Sequence, residues 1–600
     1  MKVQAEHYPM RRPSAIRWFA QFCQDNRYLL LVTPAALVLL AFFVTPLAGS
    51  IVGSVRGSAF DLSGYKDALT DPLYFKVFTR TIEIAGVVTA LCLLLGYPIA
   101  YFMTTLSKRA LGAFSFFVLV PLFTPFLIRT YGWMAILGRA GALNKLLLSF
   151  GIISTPLKIT GTSVAVYIGM VHVLLPVGVF VMYATMRQAD RMLVSAAGVL
   201  GANPVQTFLR VYLPLTTPGI ISAGVLVFIM ALGFYIAPVL LGGPADTMIA
   251  QLIVTQVTTL LNLQFGYALS VILLIATLAI VAASNLVVPL EQMWSIQVTS
   301  RKPFPFAKKD NAGRIPQKRL TTVLERFFNI TLGRPRWLLS AMLRSYIVLA
   351  AAFLIIPLVV IYVLSFSSSP FLVFPPPGFS MKWYVRFFTD SQWQDALLMS
   401  AKLASAAATV SVVIGTAAAF GIVRGNFRMK RSVLLFMITP LLVPVIVVAL
   451  SLYVAMSKID MLGTFVGLVA GHMVLTVPYA IIVLIAAVRA IDLNLEYAAA
   501  TLGAKTPIIL RKVVLPLLAP ALGTAWLMCF VTSLDELLIA LFLLGRQTET
   551  LPIHMWSDIR IQVDPVMSAA ASIIVTGVAI LILLSQFKSS SSTKVNVPKE

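Results

Sequence analysis

The residues best able to do chemistry lie where charge is most costly. Asp535 and Glu536 interrupt an apolar segment that reads LMCFVTSL before them and LLIALFLL after them. Ionisable groups at membrane depth are expensive and mark candidate functional positions. One reading is an acidic pair lining a cavity and attracting an organic ammonium group. The other is structural: one carboxylate caps a broken helix or pairs with a buried base. Adjacent residues cannot share one helix face, so at most one would point into a cavity. Arg129, followed by Tyr131 and Trp133, either holds one of these carboxylates or lines an outer gate. Phe234 and Tyr235, beside Gly233, offer faces that bind cations well, or are packing groups. Glu83 lies near Arg80, as an interfacial residue or a substrate contact. His7, His172, His472 and His554, and Cys23, Cys92 and Cys529, have no metal-ligand spacing.

No phosphate-binding loop of the G-x-x-x-x-G-K-[ST] type occurs; GAKTP at 503 lacks the first glycine and the spacing. No triad or zinc motif appears outside the apolar segments either. The chain is therefore expected to be no enzyme and to bind no cofactor, taking its energy from a partner.

The elements that must position these groups are membrane helices. Of the 600 residues, 59% are hydrophobic and 11% charged, against about 25% charged in soluble proteins. Apolar runs long enough to span recur throughout. They fall at about 28–50, 81–105, 112–136, 163–187, 215–241 and 265–290, then again at about 345–367, 399–424, 431–456, 463–488, 517–543 and 567–586. Period-2 alternation in short segments, the mark of a membrane β-barrel, is absent. The expected fold is an all-α polytopic membrane protein of about 12 transmembrane helices. The first run starts near Tyr28 with no small-residue cleavage site behind it, so it reads as a span rather than a cleavable signal.

The net charge of +24 raises the possibility of a nucleic-acid partner, but the charge is in the wrong places. Eleven basic residues cluster from Arg301 to Arg344, and five (Lys2, Arg11, Arg12, Arg17, Arg27) precede the first span. Such clusters set topology and meet anionic lipid. The expectation is membrane lipid and no nucleic acid. Both termini and the linker then share the cytoplasmic side. The divisions are a cytoplasmic segment at 1–27, a first domain of six spans at 28–290, a basic linker at 291–344, a second domain at 345–586 and a tail at 587–600. A short interfacial helix at 325–340 is also expected.

The two domains are copies. SAAGVLGANPVQTFLRVYLPLTTP (195–218) and YAAATLGAKTPIILRKVVLPLLAP (497–520) align at a constant offset of 302. Pro176, Arg187 and Asp190 match Pro478, Arg489 and Asp492 at the same offset. Each copy is a mixed-polarity island between the fourth and fifth spans of its half. The halves run in the same direction, as a parallel repeat about a pseudo-two-fold axis along the membrane normal. In the islands, alanines favour helix, glycine favours a turn, and Leu-Pro is expected to open the next span.

The alanine pair, glycine and Leu-Pro, with 13 residues from Gly201 to Pro214 and from Gly503 to Pro516, resemble the coupling segment of ATP-binding-cassette importer permeases. The resemblance covers almost the whole chain. It implies docking of two ATPase subunits through Ser195, Ala196, Ala197, Gly201, Leu213 and Pro214 in the first copy, and Glu496, Tyr497, Ala498, Ala499, Gly503, Leu515 and Pro516 in the second. The family's acidic residue is replaced by Ser195 and by Tyr497, with Glu496 one place earlier. ATP and Mg would sit on the ATPase subunits, and an external solute-binding protein would meet the outward loops. PFLIRTYGW (125–133) and ALGFYIAPVLLGGPADTMIAQLI (231–253) are similar to the first permease of the spermidine/putrescine branch. GHMVLTVPYA (471–480), TSLDELLIALFL (532–543) and TLPIHMWSDIR (550–560) are similar to the second. The resemblance thus implies two permeases fused in one chain of a bacterial inner membrane. The expected substrate is a polyamine, with Asp535, Glu536, Phe234, Tyr235, Arg129 and Trp133 along its path. An opine, aminoethylphosphonate, iron or thiamine is the alternative cargo, and an ion-driven carrier the alternative mechanism.

Overall fold

A computed structural model describes residues 27–55, 61–286, 336–427, 429–545, 549–561 and 564–592. Most of the expected N-terminal segment, linker residues 291–335 and the tail from 593 lie outside the described residues, as does Cys23. The first half comprises α1 (Tyr28–Ser54), α2 (Ser63–Thr70), α3 (Pro72–Thr105), α4 (Lys108–Leu122), α5 (Phe126–Leu137), α6 (Ala142–Ser149), α7 (Ser163–Gln188), α8 (Arg191–Val199), α9 (Pro204–Leu232), α10 (Ile236–Leu241), α11 (Ile249–Thr259) and α12 (Leu263–Asn285). The second half comprises α13 (Arg336–Ser365), α14 (Lys382–Thr389), α15 (Ser391–Arg424), α16 (Lys430–Leu442), α17 (Val445–Lys458), α18 (Phe465–Ala490), α19 (Leu493–Thr501), α20 (Thr506–Asp535), α21 (Leu538–Leu543), α22 (Leu551–Ile561) and α23 (Val566–Ser592).

Among the described residues, nine helices are long and apolar enough to span a membrane, or eleven if two bent pairs each count as one span. The twelfth expected segment falls in α23, of which Val566–Leu581 is among the shorter apolar helices of the described residues. The third span of each half is the bent one. α4 meets Phe126–Ser149, which comprises α5 and α6, at 89°, and α16 meets α17 at 96°. The sequence explains the break. Thr124-Pro125 and Val443-Pro444 stand at the bends. Proline disfavours helix in the residue before it and donates no backbone hydrogen bond.

The duplication extends to single hydrogen bonds. The Thr81 hydroxyl accepts the N–H of Ile249 at 2.9 Å, and the Ser400 hydroxyl that of Leu551 at 2.7 Å. Gly161 N–H reaches the Leu241 carbonyl, and Gly463 N–H the Leu543 carbonyl, both at 2.8 Å. The halves are joined reciprocally. α1 of the first half packs on α17 of the second, and α13 of the second on α5 of the first. That exchange of first and third spans is what a two-fold relation demands. Ser50 and Ser451 hydrogen-bond across it at 2.9 Å. Within each half the second and fourth spans pack tightest. A Cβ on Gly415 would lie 2.8 Å from Ala480 Cβ, the close small-residue approach that drives helix association in lipid.

Candidate functional site

Two regions gather the singled-out residues: the seam between the halves and the paired islands. At the seam, the fifth spans are broken as well. α9 stops at Leu232 and α10 starts at Ile236, while α20 stops at Asp535 and α21 starts at Leu538. The bends and breaks leave four helix N-termini inside the protein, each with unpaired N–H groups.

Asp535 serves one of them from across the seam. Its Oδ1 accepts the N–H of Phe126, first residue of α5, at 2.7 Å. Glu536 serves another within its own half: its Oε1 accepts the N–H of Ile539 at 2.9 Å, capping α21. A carboxylate at a helix N-terminus is favoured by both the hydrogen bond and the helix dipole. The adjacent acids therefore point to different helices, and both are occupied as caps.

Arg129 lies one turn into α5 and is fully buried. Its Nη1 donates to the Val173 carbonyl at 3.2 Å, and its guanidinium carbon lies 4.9 Å from the centre of the Phe126 ring. Nε and Nη2 have no hydrogen-bond partner. It is not within ion-pair distance of either acid. Trp133 packs on His172, with ring centres 5.7 Å apart, and on Phe353 of α13 at 5.2 Å. Phe234 meets Phe126 at 5.9 Å. Tyr235 meets Trp556 at 5.3 Å. The aromatic candidates are thus packed, and the cavity lined by Pro125, Leu534, Asp535 and Met555 is about 10 Å³. That is room for about one water. Glu83 lies apart from it, paired with Arg80 at 2.7 Å.

Gly233 is the seam residue that sequence reasoning passed over. It stands at the repeat offset from Asp535, and a Cβ on it would lie 2.7 Å from Pro444 Cβ. The signal was available in the alignment of the two halves. Asp246 was missed as well. It accepts from Arg80 at 2.8 Å, from the Ser163 hydroxyl and from the Gly243 N–H at 3.1 Å. Burial pushes its carboxyl upward, but these three donors more than offset that and hold it below the ordinary carboxylate range.

The islands are two short helices with no buried residue. Asp190 caps α8 by accepting the N–H of Met192 at 2.8 Å. Asp492 caps α19 through Asn494 at 3.0 Å. Each ends in the same double closure. Gly201 N–H bonds the Gly198 carbonyl and Ala202 N–H that of Ala197; Gly503 and Ala504 do the same to Ala500 and Ala499. Gly201 and Gly503 take φ of 84° and 83°, the left-handed conformation that this closure needs and glycine adopts without penalty. Open space lies where a Cβ would project from either glycine. Leu200 and Leu502 are 87% and 88% exposed. Ser195, Ala196, Tyr497 and Ala498 are exposed, whereas Ala197 and Ala499 are half-buried. Glu496 turns inward and pairs with Arg424 at 2.7 Å.

One expectation is corrected here. Leu213-Pro214 and Leu515-Pro516 do not open the fifth spans. α9 starts at Pro204, capped by Asn203 in a capping box with Gln206, and α20 starts at Thr506. The Leu-Pro pairs lie inside, just after π turns at Phe208–Tyr212 and Leu510–Val514. A widened turn accommodates a proline ring that could not fit the regular ladder.

A bundle of two fused repeats, joined through exchanged spans and carrying two exposed helix–glycine turns, defines a two-fold membrane permease. Matches to the family described as "Binding-protein-dependent transport system inner membrane component" cover residues 85–290 and 411–590. That is more than half of the chain, and the chain belongs to this family. It is a translocation component and not an enzyme, a fusion of two permeases. It is 40% identical over 216 residues to the spermidine/putrescine transport system permease protein PotB of Escherichia coli K12, a match covering 36% of this chain and 78% of that protein. Haemophilus influenzae PotB is 39% identical over 203 residues, covering 34% and 71%. PotC of Escherichia coli K12, a permease of the same system, is 30% identical over 245 residues, covering 41% and 92%. Among solved structures, a bacterial alginate ABC transporter in complex with a pentasaccharide-bound periplasmic protein matches with a TM-score of 0.38 and 16% identity, covering 47% of this chain and 100% of that one.

Proposed function

We propose that the chain forms the whole translocation pathway of an ATP-driven importer for a polyamine such as spermidine or putrescine. It would lie in a bacterial cytoplasmic membrane with both termini inside. Two ATPase subunits, holding ATP and Mg, dock beneath α8 and α19, and a solute-binding protein docks on the outward loops. Closure of the ATPase pair pushes both islands and exchanges outward for inward access at the seam. The observation that carries the reading is the pair of exposed helices closed by Gly201 and Gly503 with the same hydrogen bonds. A surface built twice, with small residues and open space around each glycine, suits two copies of one partner. Kinship with PotB and PotC supports the polyamine.

On opening of the seam, Asp535 and Glu536 are the carboxylates available to an ammonium group, with Phe234, Tyr235, Arg129 and Trp133 beside them. The test is reconstitution with the ATPase and the binding protein. Gly201→Val with Gly503→Val is expected to abolish transport-coupled ATP hydrolysis while membrane insertion persists. Unimpaired coupling would refute the docking role. For the cargo, labelled spermidine, putrescine, an opine and aminoethylphosphonate are offered to the cognate binding protein. Binding confined to an opine or a phosphonate would refute the polyamine.

A further inference from the structure

We infer that Arg424 is a positioning residue that ties the second island to two membrane helices, so that a push on α19 moves α15 and α18 together. The inference rests on the docking role proposed above. Arg424 is the last residue of α15. Its Nη2 donates to Glu496 Oε1 at 2.7 Å and to the Ile491 carbonyl at 3.2 Å. Ile491 closes α18, and Glu496 lies in the first turn of α19. One guanidinium thus stands where two helix C-termini converge and faces a carboxylate at a helix N-terminus. Every charge sits at the helix end that favours it.

The pair is not a loose surface contact. The side chains of Arg424 and Glu496 are only 9% and 24% exposed, and Arg424 Nε has no hydrogen-bond partner. Removing either charge leaves the other poorly solvated. Beyond Arg424 the link is stiff. α15 and α18 touch at Gly415 and Ala480, and the Ser411 and Thr476 hydroxyls bond at 2.7 Å. α18 reaches back to the seam, where His472 bonds Ser533, two residues before Asp535, at 2.7 Å. A continuous path therefore runs from island to seam.

The first half makes the same connection in reverse and without an ion pair. Arg191, first residue of α8, donates to the Thr104 carbonyl near the end of α3. There the island carries the cation and the span supplies a neutral acceptor. The second half holds the stronger tie.

The experiment uses the full chain with its ATPase subunits and solute-binding protein in proteoliposomes, reading solute moved per ATP hydrolysed. Arg424→Ala and Glu496→Gln are each expected to lower that ratio about tenfold, with the ATPase still co-purifying with Arg424→Ala. The charge exchange Arg424→Glu with Glu496→Arg is expected to recover most of it, which repacking alone would not do. Arg191→Ala is expected to have the smaller effect. Single variants within twofold of the unmodified protein, an exchange no better than either single, or loss of ATPase capture in Arg424→Ala would each overturn the inference. Failure of the unmodified chain to capture an ATPase would instead overturn the docking reading beneath it.

Discussion

The seam contains two contacts that the repeat makes equivalent and the side chains make different. In one, Asp535 at the broken fifth span of the second half caps α5 of the first half at the residue after Pro125. In the other, Gly233 of the first half abuts Pro444 itself, with no room for a side chain. The backbone plan is duplicated, but the chemistry is not. One contact is polar, held by a hydrogen bond. The other is a close backbone approach, held by packing alone. A seam that must open and close can thus release differently on its two sides: the polar contact by exchanging the cap for another donor, the packed one by sliding.

The comparison can be broken from its strong side first. Asp535→Ala should destabilise the folded chain by about 3 kcal/mol, because it strands the Phe126 N–H and removes the acid that caps α5 one turn before the buried Arg129. The unfolding midpoint in detergent measures this, and Arg129→Met in the same chain should restore part of the loss. Gly233→Asp copies the polar contact onto the packed side. It should cost about 2 kcal/mol from overpacking against Pro444; a neutral result would mean that the two contacts are interchangeable. Glu536→Gln should cost about 1 kcal/mol, since an amide oxygen still accepts from Ile539 but carries no charge to the helix end.

Two ion pairs away from the seam supply the smallest effect and the same lesson. Arg80 and Asp246 form a largely buried clip in the first half, whereas Arg386, 54% exposed, meets Asp564 at 3.1 Å in the second. Arg386→Ala should cost at most about 0.5 kcal/mol. The Asp246 carboxyl is held below its ordinary range, so its stabilisation is present at neutral pH and lost on acidification. It should fade only as the pH falls below ~4, and Asp246→Asn should abolish that acid dependence.

Much of this was legible in advance because it is local or periodic. The spans follow from runs of apolar residues, and the duplication from ten matches at one offset in the island alone. The glycine turns follow from their place after an alanine helix. The Arg80–Glu83 pair follows from i,i+3 spacing. The start of α9 was misplaced because Leu-Pro is a strong helix-opening signal, while the π turn that absorbs it has no comparable signature. The inward turn of Glu496 was hidden, since its partner Arg424 lies 72 residues away.

The amino-acid sequence by itself determined that this is an all-α membrane chain built twice, with its exposed turns at matched positions. Those features depend on hydrophobic run length, proline and glycine, and on comparing the chain with itself. Only the tertiary structure decided what the charges do. Asp535 caps a helix 409 residues away, and Arg129 meets a carbonyl rather than either acid. Helix ends buried by a bend must find their acceptors across the protein, and no spacing along the chain records which side chain will reach them.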